Sequence, residues 1–76
     1  MTSDLENFLS DLVVLLREKA SEAKEKAGAI QPDEMERGRS FGLYEALSLI
    51  HQQAMAFGIP LERIGMRGFD PDRDVM

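Results

Sequence analysis

Apolar positions in the first third of the chain recur with the period of a helix. Leu9, Val13, Leu16, Ala20, Ala23 and Ala27 step alternately by four and three, the heptad spacing that keeps one stripe facing a neighbouring helix. A second stripe, Leu5, Phe8, Leu12 and Leu15, runs beside it over the first half only. That half shows a wide apolar face, the second half a narrow alanine one. Ser3-Asp4-Leu5-Glu6 supplies a capping-box start, in which the Ser side chain bonds a backbone N–H and the Glu reciprocates. Arg17 to Lys26 contains no Gly, Pro or β-branched residue, and Glu22 and Lys26 are spaced for an i,i+4 ion pair. Gly28 is placed to close the helix in the left-handed conformation. These signals predict a first helix from Ser3 to Gly28.

A short connection follows, and Pro32 with Asp33, Glu34 and Glu36 reads as the acidic first turn of a second helix. It is expected to run to Phe57, where Gly58 caps it and Pro60 forbids continuation. Its main seam is Leu43, Leu47, Ile50, Ala54 and Phe57, with Met35, Gly38, Gly42, Ala46 and Leu49 alongside. Glycine inside a helix costs about 1 kcal/mol relative to alanine. The Gly38-x-x-x-Gly42-x-x-x-Ala46 spacing therefore points to a close helix crossing, within the hairpin or at a dimer axis.

The predicted fold class is all-α: an antiparallel two-helix hairpin plus a short C-terminal helical turn, dimerising into a four-helix bundle. Residues 1–64 form the hairpin with its capping segment, in which Ile59, Leu61 and Ile64 fold over the open end. Residues 65–76 read as a flexible acidic tail, because Gly65, Gly68 and Pro71 break any periodicity. The dimer is expected because a hairpin buries one stripe per helix and this one carries two. Phe8, Leu12 and Leu15 are spare on the first helix; Gly38, Phe41, Gly42, Tyr44, Ser48 and His51 lie off the seam of the second. These nine residues form the candidate oligomer or partner interface.

Composition narrows the chemistry. The 76 residues carry 9 Lys+Arg against 14 Asp+Glu, a net charge of −5. The basic residues are scattered among acids, so no nucleic-acid surface is expected. Arg37 and Arg39 lie about 200° apart on a helix and do not share a face. There is no cysteine, hence no disulfide framework and no thiolate zinc site to support a small core. The longest apolar run, Leu12 to Leu16, is far short of the roughly 20 residues that span a bilayer. Asp4 and Glu6 stand where a signal peptide carries positive charge. A soluble, cytoplasmic protein is the expectation.

Candidate chemistry is sparse. Tyr44, Ser48, His51 and Met55 fall in line on the second helix, but a nucleophile also needs an orienting acid and an oxyanion hole. His51 reads more simply as a partly exposed or interface residue. The carboxylates make no di-metal set: Ser48 stands three residues after Glu45 and Ala54 three after His51, where such sites place ligands. Asp70, Asp72 and Asp74 alternate like the start of a calcium loop, yet the chain ends before its bidentate Glu. Neither a cofactor nor a catalytic activity is expected. The function that follows is a non-catalytic, self-associating protein-interaction module, a homodimer with a possible protein partner. The alternative is an acidic inhibitor or immunity-type protein that blocks a basic site by charge complementarity.

Overall fold

Ser3 starts the first helix as its side chain suggests: its Oγ accepts the Glu6 backbone N–H at 3.0 Å, satisfying one of the donors a helix N-terminus leaves open. The computed structural model describes residues 3–28 and 34–75. Helix α1 spans Asp4–Ala27 and helix α2 spans Glu34–Ala56, followed by a 3-10 turn over Leu61–Ile64 and a single-turn helix α3 over Pro71–Asp74. The described residues include no strand. None of the helices is long and apolar enough to cross a membrane. The expected connection, with Pro32 and Asp33 opening the second helix, lies outside the described residues.

The two long helices pack as an antiparallel hairpin. At one end Leu9 of α1 shares a groove with Ile50, Ala54 and Phe57; at the other, Lys24 and Ala27 stand beside Arg37 and Phe41. The period-3.5 seams supply the contact. Val13, Ala20, Ala23, Leu47 and Ala54 are buried, with Leu9, Leu16, Leu43 and Ile50 packed against them. The Glu22–Lys26 pair forms at 3.2 Å. Phe57 departs from the expected seam: the helix ends at Ala56, and the Phe57 ring is 75% exposed. Gly28 departs as well, closing α1 at φ −87° rather than in the left-handed region, with its N–H on the Lys24 carbonyl. Gly58 does adopt a positive φ of 67° after α2.

The largest difference from the sequence reading is at the C-terminus. Residues 65–75 are no tail: Met66, Phe69, Pro71 and Val75 are buried, three of them in the same core cluster as Val13 and Leu47, and the packing shows no break after Ile64. Burying a large apolar side chain yields about 1.5–3 kcal/mol, which is why this short segment adheres. Gly65 permits the turn. It sits at φ 75°, and a Cβ there would lie 2.7 Å from the Ser10 carbonyl oxygen of α1. Its own carbonyl accepts Arg17 Nη1 at 2.7 Å, and the Arg17 guanidinium lies 4.6 Å from the centre of the Phe69 ring, within cation–π range. Asp70, read in sequence as part of an acidic run, instead caps α3 by accepting the Asp72 N–H at 3.0 Å.

The molecule therefore has two unlike faces. Gly65 lies against Ser10 and Val14, and Lys24 Nζ donates to the Asp74 carbonyl at 3.3 Å. On α2, Tyr44 donates to the Asp72 carboxylate. The C-terminal segment thus lies along one flat side of the hairpin, and the opposite side is left open.

Candidate functional site

The nine residues expected to form one interface do not share a side. Tyr44, Ser48 and His51 turn toward the C-terminal segment, where with Gln52, Asp70, Pro71 and Asp72 they line a cavity of about 160 Å³. Phe41 stands at the edge of the same side, its ring 6.2 Å from that of Tyr44 and inclined by 34°. Phe8, Leu12 and Leu15 lie about half a turn of α1 away from Ser10, Val14 and Arg17, on the uncovered side. On α2 a two-residue offset rotates a side chain by about 200°. Gly42, Ala46 and Leu49, each two residues before Tyr44, Ser48 and His51, accordingly point to that same open side, with Gly38 at its edge.

The covered side spends its polar groups on itself. The Tyr44 hydroxyl is pushed above its ordinary range chiefly by its hydrogen bond to the Asp72 carboxylate, with Ser48 acting the other way. Asp74 is held well below the usual carboxylate range, first by Arg73, whose guanidinium donates to both carboxylate oxygens at 2.8 and 2.9 Å, then by the Asp70 N–H. Arg73 also donates to the Gly68 carbonyl at 2.6 Å. Ser48 and His51 thus sit beside aspartates already engaged in holding α3. Among the described residues no three His, Asp or Glu side chains cluster as metal ligands.

The open side is apolar and uncovered. Met35 is 80% exposed and Leu5 76%, and Phe8, Leu12, Leu15 and Leu49 are all classed with them as exposed large hydrophobics. Its open end continues into a groove of about 300 Å³ lined by Leu9, Leu49, Ile50, Phe57, Ile59 and Ile64. A monomeric soluble protein seldom shows so much contiguous apolar surface without using it. Leu5, Met35 and Leu49 belong to this face although only their stripe neighbours were singled out from sequence; the helical period carried the signal. Arg17, which fastens the other side, had no such signal, because its partners Gly65 and Phe69 are 48 and 52 positions away.

The small residues on the open side have a different environment from the one their spacing suggested. Nothing lies within 4 Å of a Cβ built at Gly38 or at Gly42, so neither marks a close crossing inside the hairpin. What they leave is a shallow stretch of exposed helix beside the taller Leu and Phe side chains. No family of known proteins, no curated protein and no solved structure matches this chain.

Proposed function

We propose that this protein is a non-catalytic helical module whose work is association, and that its first partner is another copy of itself, bound through the open side of the hairpin. The observation that supports this is the uncovered apolar face carried by Leu5, Phe8, Leu12, Leu15, Met35 and Leu49, on a domain whose opposite side is covered in part by its own C-terminus, with Phe41 and Met55 still exposed. Apolar burial is the main driving force of such association. The competing reading, an acidic blocker of a basic site, has less support. Glu22, Asp70, Asp72 and Asp74 all have partners within the chain, leaving fewer acids to meet a basic one.

Light scattering after gel filtration at low micromolar concentration tests the proposal. The expected mass is twice the 8.5 kDa of one chain, unchanged at high salt because the contact is apolar. Leu12→Glu should shift the mass to one chain while the helical circular dichroism persists. A wild-type monomer at that concentration refutes self-association.

A further inference from the structure

The open side is apolar over only half its length. Leu5, Phe8, Leu12 and Leu15 lie in the first half of α1, and Leu49 and Phe57 toward the end of α2, all large and exposed; the antiparallel hairpin sets these segments side by side. Among the described residues that line the groove there, none is charged and Gln53 alone is polar. Past Leu15 the same α1 stripe continues as Lys19, Glu22 and Lys26. Lys26 meets Glu22 at 3.2 Å, and on α2 Arg39 meets Glu36 at 3.7 Å. The Glu22 carboxyl is held below its ordinary range first by Lys26 and then by Arg39, so the two helices share one charged half. Met35, 80% exposed, stands apart from the apolar patch at the start of α2. Resting on the self-association proposed above, we infer that the second copy meets only the open-end half of this side. The two hairpins run in opposite directions, overlap by that half, and project their connected halves away from each other.

The reason is desolvation. Taking paired charges out of water costs more than their mutual attraction returns unless new hydrogen bonds compensate, whereas covering apolar surface is favourable. Two hairpins stacked in the same direction press both charged halves together. Reversed over their full length, they lay a charged half on each groove. Reversed and overlapped by half, they cover apolar surface with apolar surface and leave every ion pair in water. The register allows it. The midpoint of the Leu5 to Leu15 stripe falls between Phe8 and Leu12, that of Leu49 to Phe57 falls at Gln53, and Leu9 lines the groove together with Gln53 and Ala54. One twofold axis across the hairpin therefore serves both helices. Phe8 of one copy meets Leu12 of the other and Leu5 meets Leu15. The two Gln53 amides, each both donor and acceptor, meet at the axis. Asp4 and Asp11 flank the α1 stripe on its outer edge, exposed to water and screened there by salt.

Half the side is enough. A whole Phe side chain offers about 150–250 Å² and an aliphatic one roughly 60–120 Å². At the exposures found for these six residues, 40–76%, together with Ile59 at 37%, the open-end half holds on the order of 500 Å² of apolar surface. A stable interface takes roughly 800 Å² from each partner, a little over half of it apolar. The open-end half therefore supplies the apolar area one copy must contribute without help from the charged half.

The native chain contains no cysteine, so Lys26→Cys carries one spin label per copy, and dipolar spectroscopy reads the distance between the two labels in the dimer. At about 1.5 Å per residue Lys26 lies roughly 24 Å along α1 from the axis, so half-overlapped hairpins hold the labels about 50 Å apart, against less than about 25 Å for a same-direction stack. Dissociation constants are the second arm. Leu5→Glu and Phe57→Glu should each raise the dimer Kd at least tenfold, whereas Lys19→Glu and Met35→Glu should leave it within about twofold at an ionic strength that screens distant charge. All four side chains are exposed within one chain, so helical circular dichroism should not change. A dimeric mass with the short label distance overturns the arrangement while leaving self-association standing. So does a loss from Lys19→Glu or Met35→Glu as large as that from Phe57→Glu. A monomeric mass for the wild-type chain overturns self-association itself.

Discussion

Replacing Gly65 by alanine adds one methyl group at the point where the C-terminal segment crosses α1. The residue sits at φ 75°, a region that costs a residue with a Cβ about 1–2 kcal/mol. The new Cβ would stand 2.7 Å from the Ser10 carbonyl oxygen, and 3.2 Å from both Ser10 Oγ and Val14 Cγ2. The first of these is backbone inside a helix and cannot rotate away, so the segment must lift, at an overpacking cost of about 1–3 kcal/mol. Lifting also lengthens the 2.7 Å bond from Arg17 to the Gly65 carbonyl and loosens the ring beneath that guanidinium. Reduced freedom of the unfolded chain returns about 0.4–1 kcal/mol, leaving a net loss of about 1–4.5 kcal/mol. For a domain of this size each kcal/mol shifts Tm by about 4–8 °C, so a drop on the order of 5–35 °C is expected. Urea unfolding followed by circular dichroism at fixed protein concentration measures it. Gly38→Ala is the internal comparison: nothing lies near its Cβ and its φ is not positive, so it should be neutral or stabilising by up to about 1 kcal/mol. A Gly65→Ala loss below 1 kcal/mol would refute the crossing as described, and with it the account of why residues 66–75 belong to the fold.

Two further outcomes follow from the same side of the molecule. Phe69→Ala should destabilise by about 3–5 kcal/mol, since the ring is buried in the core cluster and covered by Arg17; a melt within about 1 kcal/mol of wild type contradicts that placement. The chain has one Tyr and no Trp, so absorbance near 295 nm titrates Tyr44 alone, and the Asp72 hydrogen bond should hold its midpoint above the ordinary value of about 10. A group whose folded pKa is raised stabilises below its unfolded pKa and stops doing so as pH climbs through the folded one. The tie between α2 and α3 is therefore intact at neutral pH and lost at alkaline pH. Asp72→Asn should bring the midpoint down, and an unmoved midpoint argues against the contact.

The hairpin was legible because its signals are local. The seam through Leu9, Val13, Leu16, Ala20 and Ala23, the Ser3 cap and the breaks at Gly58 and Pro60 each act within a few residues, and the backbone periods that link them are fixed. The spare apolar stripes were legible for the same reason, as counts on a helical net. What the net does not record is which stripe the rest of the chain covers. Tyr44, Ser48 and His51 looked as available as Phe8 and Leu12, and the difference lies in eleven residues with no period of their own.

Those residues were misread because their structure is made of distant contacts. Gly65 is an ordinary turn residue in sequence; only against Ser10 does it become the sole residue type that fits. Met66, Phe69 and Val75 show no helical or alternating spacing, and their burial depends on a surface assembled from α1 and α2 together. The aspartates read as a solvated run until the tertiary fold gives each a partner: a helix end for Asp70, a phenol for Asp72, a guanidinium for Asp74. The sequence alone determined two amphipathic helices of matched length and the excess of apolar surface they carry. The tertiary structure decided that the C-terminal segment covers part of one face and leaves the other open, because that cover is won by burial and hydrogen bonds between residues some 30 to 50 positions apart, which no local pattern encodes.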